Sequence, residues 1–198
     1  MAQMLFTARH GGNSTASFSS FNLGDHVGDQ PDLVSSNRGI LRQMLSRVEP
    51  KFMNQVHGND VVEVNEDSLA PVTADALVTR CAGLPLAVLS ADCLPILVKG
   101  ENIVGAIHAG RKGILNGIIE RTISKMRALG GNDFSATIGP AICGECYEVD
   151  TQMYLDAIKI DSNLATTLDA HCLGTPHETI LAHTSWPNPA ERLFGRGS

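Results

Sequence analysis

The sequence lacks a long hydrophobic run, a basic cluster and a leader-like start, and each absence excludes a class of protein. No window approaches the roughly 18 apolar residues of a membrane-spanning helix. The opening residues, MAQMLFTARHGGNS, do not set a charged stretch before an apolar one, as a signal peptide does. The chain carries 15 basic and 21 acidic side chains, a formal net charge of -6, whereas a nucleic-acid-binding surface usually shows a clustered cationic excess. We therefore expect a cytoplasmic protein with neither a membrane nor a nucleic acid as partner.

Cysteine is also scarce, and its positions do not suggest disulfide bonds. The five cysteines are odd in number and scattered, unlike the even, regularly spaced sets of secreted disulfide frameworks. We expect these thiols to be reduced, bound to a metal or catalytic.

The residues that are present alternate short β-branched runs with helical patterns. The runs have the length of strands and are bounded by turn residues; they read DVVEV, DALVT, LPLAVLS, CLPILV, IVGAIHAG and SATIGPAI. A meander of strands that gives way to strands alternating with helices predicts an α/β fold of the α+β type, in which helices pack on a mixed β-sheet sandwich. A length of 198 residues fits a single domain, 1–198.

Helical spacing of apolar residues predicts three helices. The first covers SSNRGILRQMLSRV, with Ser35 or Ser36 capping its free amides, and the second covers GILNGIIERTISKMRAL and ends at Gly130. The third covers DTQMYLDAIKI. From about residue 162 no period persists, so we expect a divergent or truncated C-terminal segment.

Three short stretches each place a metal-capable side chain next to small residues, at the end of a strand-like run. They are NQVHGNDVV with His57, SADCLPILV with Cys93 and VGAIHAGRKG with His108. Gly58 and Gly110 have no Cβ, so backbone or a ligand can approach the imidazoles closely. Two histidines and one cysteine can bind zinc and leave a fourth position for water or substrate.

Neighbouring polar residues would hold these ligands in place. Gln55, Asp75 and Asp92 are candidates, and Asp92, which interrupts an apolar run, would then be paired inside the site. Two other interpretations stay open at this point. Each histidine could be an ordinary loop or core residue and the cysteine a small apolar side chain. Alternatively, Cys93 is a nucleophile that His108 activates without a metal.

Further polar residues are candidates for substrate contacts. The stretch NLGDHVGD forms a glycine-rich loop that presents Asn22, and Arg111 and Lys112 follow the third stretch at the start of a helix, where an anion is favoured. Together with Gln55 and Asp92 they make up our predicted substrate-binding set. A solvated loop and an ordinary charged surface are the alternatives. The motif CGEC, at 143–146, favours a structural turn over a redox or metal role.

Taken in order, six stretches resemble the laccase-domain family, also called the YfiH-like or multicopper polyphenol oxidoreductase family. They are NLGDHVGD, NQVHG, ADALVT, LAVLSADCLPILV, VGAIHAGRKG and IGPAICGECYEV, and the resemblance covers residues 9–149. It implies a YfiH-like α/β sandwich with a zinc site, or alternatively a copper site. By motif match the ligands, which would also be the catalytic residues, are His57, Cys93 and His108.

The resemblance also implies an activity. Family members are associated with phosphorolysis of adenosine, inosine, guanosine and methylthioadenosine to the base and ribose phosphate, with phosphate as co-substrate, and with adenosine deamination. Bacterial members also carry the name peptidoglycan editing factor. The leading hypothesis is therefore a metal-dependent purine nucleoside phosphorylase that acts on a small-molecule nucleoside.

Two departures from the family pattern keep other functions open. The family usually reads His-Ala-Gly-Trp-Arg-Gly where this chain has HAGRKG, and usually ends with Ser-Tyr-Arg-Arg and Gly-Arg elements where this chain has FGRGS. The alternatives are a copper-dependent polyphenol oxidoreductase (laccase), a metal-free cysteine hydrolase and a non-catalytic nucleoside-binding homologue. Laccase chemistry is disfavoured because the sequence has no His-x-His pair for several copper ions. Nothing in the sequence indicates an oligomeric state.

Overall fold

The structure is a computed structural model that describes residues 2–69, 71–143 and 146–147, together with the backbone of a strand at 180–185. In this part of the chain the strands are β1 (Gln3–Phe6), β2 (Met53–Asn54), β3 (Val61–Glu63), β4 (Val72–Thr73), β5 (Ala76–Thr79), β6 (Leu86–Ser90), β7 (Leu94–Lys99), β8 (Val104–Ala109), β9 (Ser135–Ile138) and β10 (Ile180–Ser185). The helices are α1 (Pro31–Met44), α2 (Arg111–Leu115) and α3 (Ile118–Ala128). None of these helices combines the length and the hydrophobicity that crossing a bilayer requires.

The longer strands form two sheets. The first is antiparallel, in the order β1-β10-β6. The second has the order β3-β5-β8-β7-β9 and is mixed, because β3 runs parallel to β5 while the other neighbours are antiparallel. β2 and β4 make a short parallel pair. β6 and β7 follow each other in sequence but lie in different sheets, so residues 91–93 carry the chain from one sheet to the other.

Alternation along the strands sorts apolar side chains between the faces of each sheet. In β6, Leu86 and Val88 enter a core that they share with Leu97 of the five-stranded sheet. Leu89, on the opposite face of β6, packs in a second core with Leu41 of α1. The two sheets are therefore stacked face to face, and α1 covers the outside of the three-stranded one.

A third core covers the outer face of the five-stranded sheet. Ile118 and Met126 of α3 are fully buried there against Ile96 and Ile107 of β7 and β8. The layers run from α1 through the two sheets to α2 and α3, which confirms the predicted mixed sandwich with helices packed on it.

The structure corrects the predicted boundaries of two helices. α1 begins at Pro31, four residues before the predicted serine cap, because proline is already set at the helical φ and has no amide to leave unbonded. The second predicted helix is divided into α2 and α3, since Gly117 between them takes φ +77° in the left-handed region. Gly130 follows α3 as predicted, with φ +88°.

The six predicted strands are present as β3 and β5 to β9. Sequence patterns missed β1, β2 and β4, which are short, and β10, which lies in the stretch where we predicted no regular structure. The predicted helix over DTQMYLDAIKI lies outside the described residues.

Candidate metal centre

His57, Cys93 and His108 come together at one end of the layer between the two sheets. One potential ligand atom from each residue lies within 4.8 Å of the others, and Cys93 Sγ is 3.8 Å from His57 Nε2. The two imidazoles meet edge to face, with ring centroids 4.8 Å apart. His108 is buried, Cys93 is half-buried and His57 is exposed, so the cluster opens to solvent on the His57 side.

The register of β5 and β8 places His108 opposite Asp75. Ala76 pairs with Ile107, and the His108 amide donates to the Asp75 carbonyl at 2.8 Å, so the two side chains leave the sheet on the same face. His108 Nδ1 lies 2.8 Å from Asp75 Oδ1. Because an ionised carboxylate only accepts hydrogen bonds, Nδ1 carries the proton and Nε2 keeps its lone pair for a ligand. Burial lowers the pKa of His108 below its usual value, an effect that the Asp75 hydrogen bond opposes in part.

His57 lies on a loop whose backbone amides are held by one carboxylate. The amides of Val56, His57 and Gly58 all donate to the Asp75 carboxylate. His57 takes φ +59°, a left-handed conformation that costs a residue with a Cβ about 1–2 kcal/mol. These hydrogen bonds offset that cost and keep the imidazole aimed at Cys93.

The same loop is tied to β6 and to α3 at its two ends. The Gln55 side chain donates to the Leu89 carbonyl and accepts from the Leu89 amide, both at 2.8 Å, as a neighbouring strand would. The Asn59 side chain donates to the Asn116 carbonyl at 2.7 Å, and Arg121 of α3 donates to the Asn59 carbonyl at 3.0 Å. The Gln55 side chain is thus already occupied by its two hydrogen bonds to Leu89, and substrate binding by Gln55 would require both of them to break.

Cys93 lies on the crossing between the sheets. Its backbone carbonyl accepts a hydrogen bond from Ser90 Oγ, and the Asp92 carbonyl accepts one from the Ile142 amide. Burial raises the pKa of the Cys93 thiol, and the negative charges of Asp92 and Asp75 raise it further. A nearby cation is therefore what this cysteine needs to become a thiolate at neutral pH.

Asp92 itself does not have the predicted environment. We expected it to be buried and paired inside the site, but its side chain is exposed on the crossing, because the apolar run breaks into two strands around it. The buried carboxylate of the site is Asp75, which directly precedes β5. Asp75 was one of the three candidate partners that the sequence offered, and it stands in ADALVT, where the chain enters a buried strand.

Gly110 leaves a gap between the three candidate ligands. A Cβ at this position would lie 2.9 Å from His57 Cδ2, 3.1 Å from Cys93 Sγ and 3.6 Å from His108 Cε1. This confirms the prediction that glycine allows a close approach to the imidazole. Gly113 in α2 also has no room for a side chain, since a Cβ at this position would lie 2.9 Å from the Gly58 carbonyl oxygen.

The donor set fits zinc, and one of its separations is close to that of a zinc site. Zinc takes thiolate sulfur at about 2.3 Å and imidazole nitrogen at about 2.0–2.1 Å, so a tetrahedral ion holds such ligands roughly 3.5 Å apart. The 3.8 Å between Cys93 Sγ and His57 Nε2 is close to that separation. Three protein ligands would leave one coordination position for water or substrate.

The other predicted substrate contacts lie in different surroundings. Arg111 and Lys112 begin α2 directly after Gly110, with Arg111 half-buried and Lys112 exposed. Asn22 is 5% exposed, and its amide bonds to the Gly24 carbonyl, the Gly24 amide and Asp29 Oδ2. Asn22 thus organises its own loop, and substrate binding by it would require those bonds to break.

The Cys-x-x-Cys motif contains a turn, as predicted. The amides of Cys146 and Tyr147 donate to the Cys143 carbonyl at 3.1 and 3.0 Å. Residues 144 and 145 lie outside the described residues.

Comparison with known proteins identifies relatives of this chain. A purine nucleoside phosphorylase of Corynebacterium glutamicum is 43% identical over 173 residues, which cover 82% of this chain and 70% of that protein. A protein of the same name from Streptomyces coelicolor is 40% identical over 195 residues, which cover 93% of this chain and 73% of that protein.

Solved structures have the same fold. The crystal structure of Neisseria meningitidis protein NMB0706 matches with a TM-score of 0.82 and 26% identity, over 94% of this chain and 95% of that one. YlmD from Geobacillus stearothermophilus matches with a TM-score of 0.77 and 26% identity, over 94% and 92% of the two chains. The family described as multi-copper polyphenol oxidoreductase laccase matches residues 3–182, and the chain belongs to this family.

Proposed function

We propose that the chain is a metal-dependent purine nucleoside phosphorylase that holds zinc through His57, Cys93 and His108, with adenosine deamination as a second activity. One observation carries the proposal. Three donors of the types that zinc prefers converge on a gap beside Gly110, in a chain 43% identical to a protein named purine nucleoside phosphorylase. Copper is the alternative metal for the same three donors.

Phosphorolysis exchanges one bond at the sugar for another. A phosphate oxygen forms a bond to C1′ of the nucleoside while the bond from C1′ to the purine nitrogen breaks. The electron pair of the breaking bond goes to the purine, which ends with the proton that the hydrogen phosphate gives up. In the transition state, positive charge develops at C1′. Bound zinc would supply Lewis-acid chemistry, which stabilises developing negative charge.

The exposure of the site residues supports an approach from the His57 side. Val56, beside His57, is 52% exposed and offers an apolar surface to a purine ring. Arg111 and Lys112 would hold the phosphate, because they place two cations directly after the ligand-bearing strand β8. The exposed carboxylate of Asp92 would accept hydrogen bonds from ribose hydroxyls.

The proposal is tested by zinc content and product release measured on the same samples. Wild type should contain zinc and release hypoxanthine from inosine only when phosphate is present. Cys93→Ser should lose both, with a fall in activity larger than the roughly 10–100-fold that is typical when an outer partner of a ligand is lost. Cys81→Ser is the matched control, since Cys81 packs against the core between the sheets. Zinc-loaded wild type that releases no base from any purine nucleoside would refute the activity.

Two of the alternatives have less support. Among the described residues, the trio is the one group of three or more side chains placed to hold a metal, whereas oxidase chemistry of the laccase type needs several copper ions. A metal-free thiol nucleophile would need a lowered pKa at Cys93, whose surroundings raise it. Phenol oxidation after copper addition would support the first, and full activity after chelation would support the second.

We also propose that the chain is a single domain. The core between the sheets draws on Met4 and Phe6 near the start of the chain and on strands β5 to β8, so one apolar layer joins distant segments. Limited proteolysis that yields one protected fragment spanning β1 and β8 is the expected result.

A further inference from the structure

A single buried carboxylate contacts both histidines of the site. Asp75 is 0% exposed. Its Oδ1 accepts from the His57 amide at 2.9 Å and from His108 Nδ1 at 2.8 Å. Its Oδ2 accepts from the Gly58 amide at 2.7 Å and from the Val56 amide at 3.3 Å. Both oxygens of one side chain are therefore occupied by four donors from two separate parts of the chain.

We infer that Asp75 is the positioning residue that builds the centre before any metal arrives, by fixing the tautomer of His108 and the backbone of His57. The inference deepens the proposed function and rests on the metal site named there. It goes beyond that function because it assigns the geometry of two ligands to a third residue that is not itself a ligand.

Asp75 selects the tautomer of the His108 side chain. In neutral imidazole either nitrogen can carry the proton, and only the bare nitrogen can bind a metal. Asp75 holds the proton on Nδ1, so Nε2 is the nitrogen that keeps its lone pair for a metal. The backbone bond from the His108 amide to the Asp75 carbonyl, 2.8 Å long, sets the distance between the strands that this contact needs.

Asp75 also orders the loop that carries His57. His57 has no β-strand or helix to fix its conformation, and its φ of +59° is disfavoured for a residue with a Cβ. Three consecutive amides around it point at the same carboxylate, which gives the loop one conformation. Successive backbone amides commonly bind an anion in this way, and here the anion is the Asp75 carboxylate.

An amide side chain at position 75 cannot accept all four of these hydrogen bonds. Asparagine has one accepting oxygen and one donating nitrogen in place of the two carboxylate oxygens. Asp75→Asn must therefore abandon either the pair of bonds to His57 and His108 or the pair to Val56 and Gly58. In the first case both histidines lose a hydrogen bond, and in the second the loop around His57 loses two, although the side chain at position 75 keeps its size.

The first measurement uses wild-type protein without metal and detects the protonated ring nitrogen of His108 in a long-range ¹H–¹⁵N spectrum of the histidines. The Nδ1–H tautomer is expected. The Nε2–H tautomer, or an equal mixture of the two, would overturn the inference. This measurement needs neither a variant nor any catalytic activity.

The second measurement compares the zinc affinity of Asp75→Asn and Asp60→Asn by competition with a chromogenic chelator. Asp60 is an exposed aspartate in the segment that leads into β3, so its variant is a matched control for charge. Asp75→Asn should bind zinc about 10–100-fold more weakly and Asp60→Asn as wild type does. Folded Asp75→Asn with unchanged zinc affinity would overturn the inference. If that variant does not fold, the tautomer of the wild type decides.

These readouts separate the inference from the proposed function. Absence of phosphorolysis in a protein that shows both expected results would refute the activity and leave the role of Asp75 standing. Phosphorolysis in a protein whose Asp75→Asn variant keeps full zinc affinity would do the opposite.

Discussion

Adding one methyl group at Gly110 should close the metal site without straining the backbone. Gly110 has φ −74° and ψ 160°, a conformation that alanine adopts readily, so the effect of Gly110→Ala is steric. Carbon atoms in contact prefer about 3.5–4.0 Å, and the new Cβ would lie 2.9 Å from His57 Cδ2 and 3.1 Å from Cys93 Sγ. The two side chains must therefore retreat by roughly half an ångström.

That displacement is large compared with what a zinc site tolerates. Ligand distances in a working site agree with the ideal values to within about ±0.2 Å. Overpacking of this kind costs about 1–3 kcal/mol. If the free energy of zinc binding falls by this amount, zinc affinity falls by about 5–150-fold.

The assay is chelator competition on Gly110→Ala beside Gly39→Ala. A Cβ at Gly39, in α1, meets no atom of the described residues outside its own helix within 4 Å, so this control should bind zinc normally and gain about 0.5–1 kcal/mol of stability. A folded Gly110→Ala protein with zinc affinity within about twofold of wild type would refute the idea that the gap is where the metal binds.

Three further predictions concern the anion contact and the N-terminal loop. Arg111→Gln should raise the KM for phosphate and leave the zinc content unchanged; steady-state kinetics at varied phosphate checks this, and an unchanged KM would contradict the assignment. Asn37→Ala should lower the free energy of unfolding by roughly 2–4 kcal/mol in urea, because this fully buried amide bonds to Ser14 Oγ, to two backbone carbonyls and to one backbone amide. Hydrogen bonds from Ser14 and Asn22 lower the pKa of Asp29, so they stabilise the fold above its unfolded value of about 3.9 and cease to do so as the pH falls through the folded value. The difference in urea midpoint between wild type and Asp29→Ala should therefore be present at pH 7 and shrink at pH 3; a difference independent of pH would contradict this reasoning.

The sequence was a good guide to the strands and to the three metal-capable side chains. Strands such as LAVLS and IVGAIHA are dense in β-branched and small apolar residues, so their local pattern was sufficient. The trio of His57, Cys93 and His108 was recognisable because each residue stands beside small residues at the end of such a run. The convergence of the three is a property of the tertiary structure.

The sequence named Gln55, Asp75 and Asp92 as candidate partners of those side chains but could not assign their contacts, because the contacts depend on strand register. Asp75 reaches His108 only because β5 and β8 pair in one register, and a shift of one residue would turn Asp75 to the other face of the sheet. The bonds of Gln55 to Leu89 join residues 34 positions apart. A pattern of neighbouring residues contains no information about such pairs, so the sequence could not show that Asp75 is buried in the site while Asp92 is exposed.

The order of the three-stranded sheet has a consequence for how the protein is made. Within the described residues β1 pairs with β10 alone, whereas β10 pairs with both β1 and β6. At the usual ribosomal speed of about 5–20 residues per second, β1 leaves the ribosome roughly 10–30 s before its partner is synthesised. The five-stranded sheet, by contrast, is encoded between Val61 and Ile138. The nascent chain can therefore form the five-stranded sheet that carries His108 before β10 is synthesised. During that interval β1 has unpaired backbone groups, which chaperones can cover.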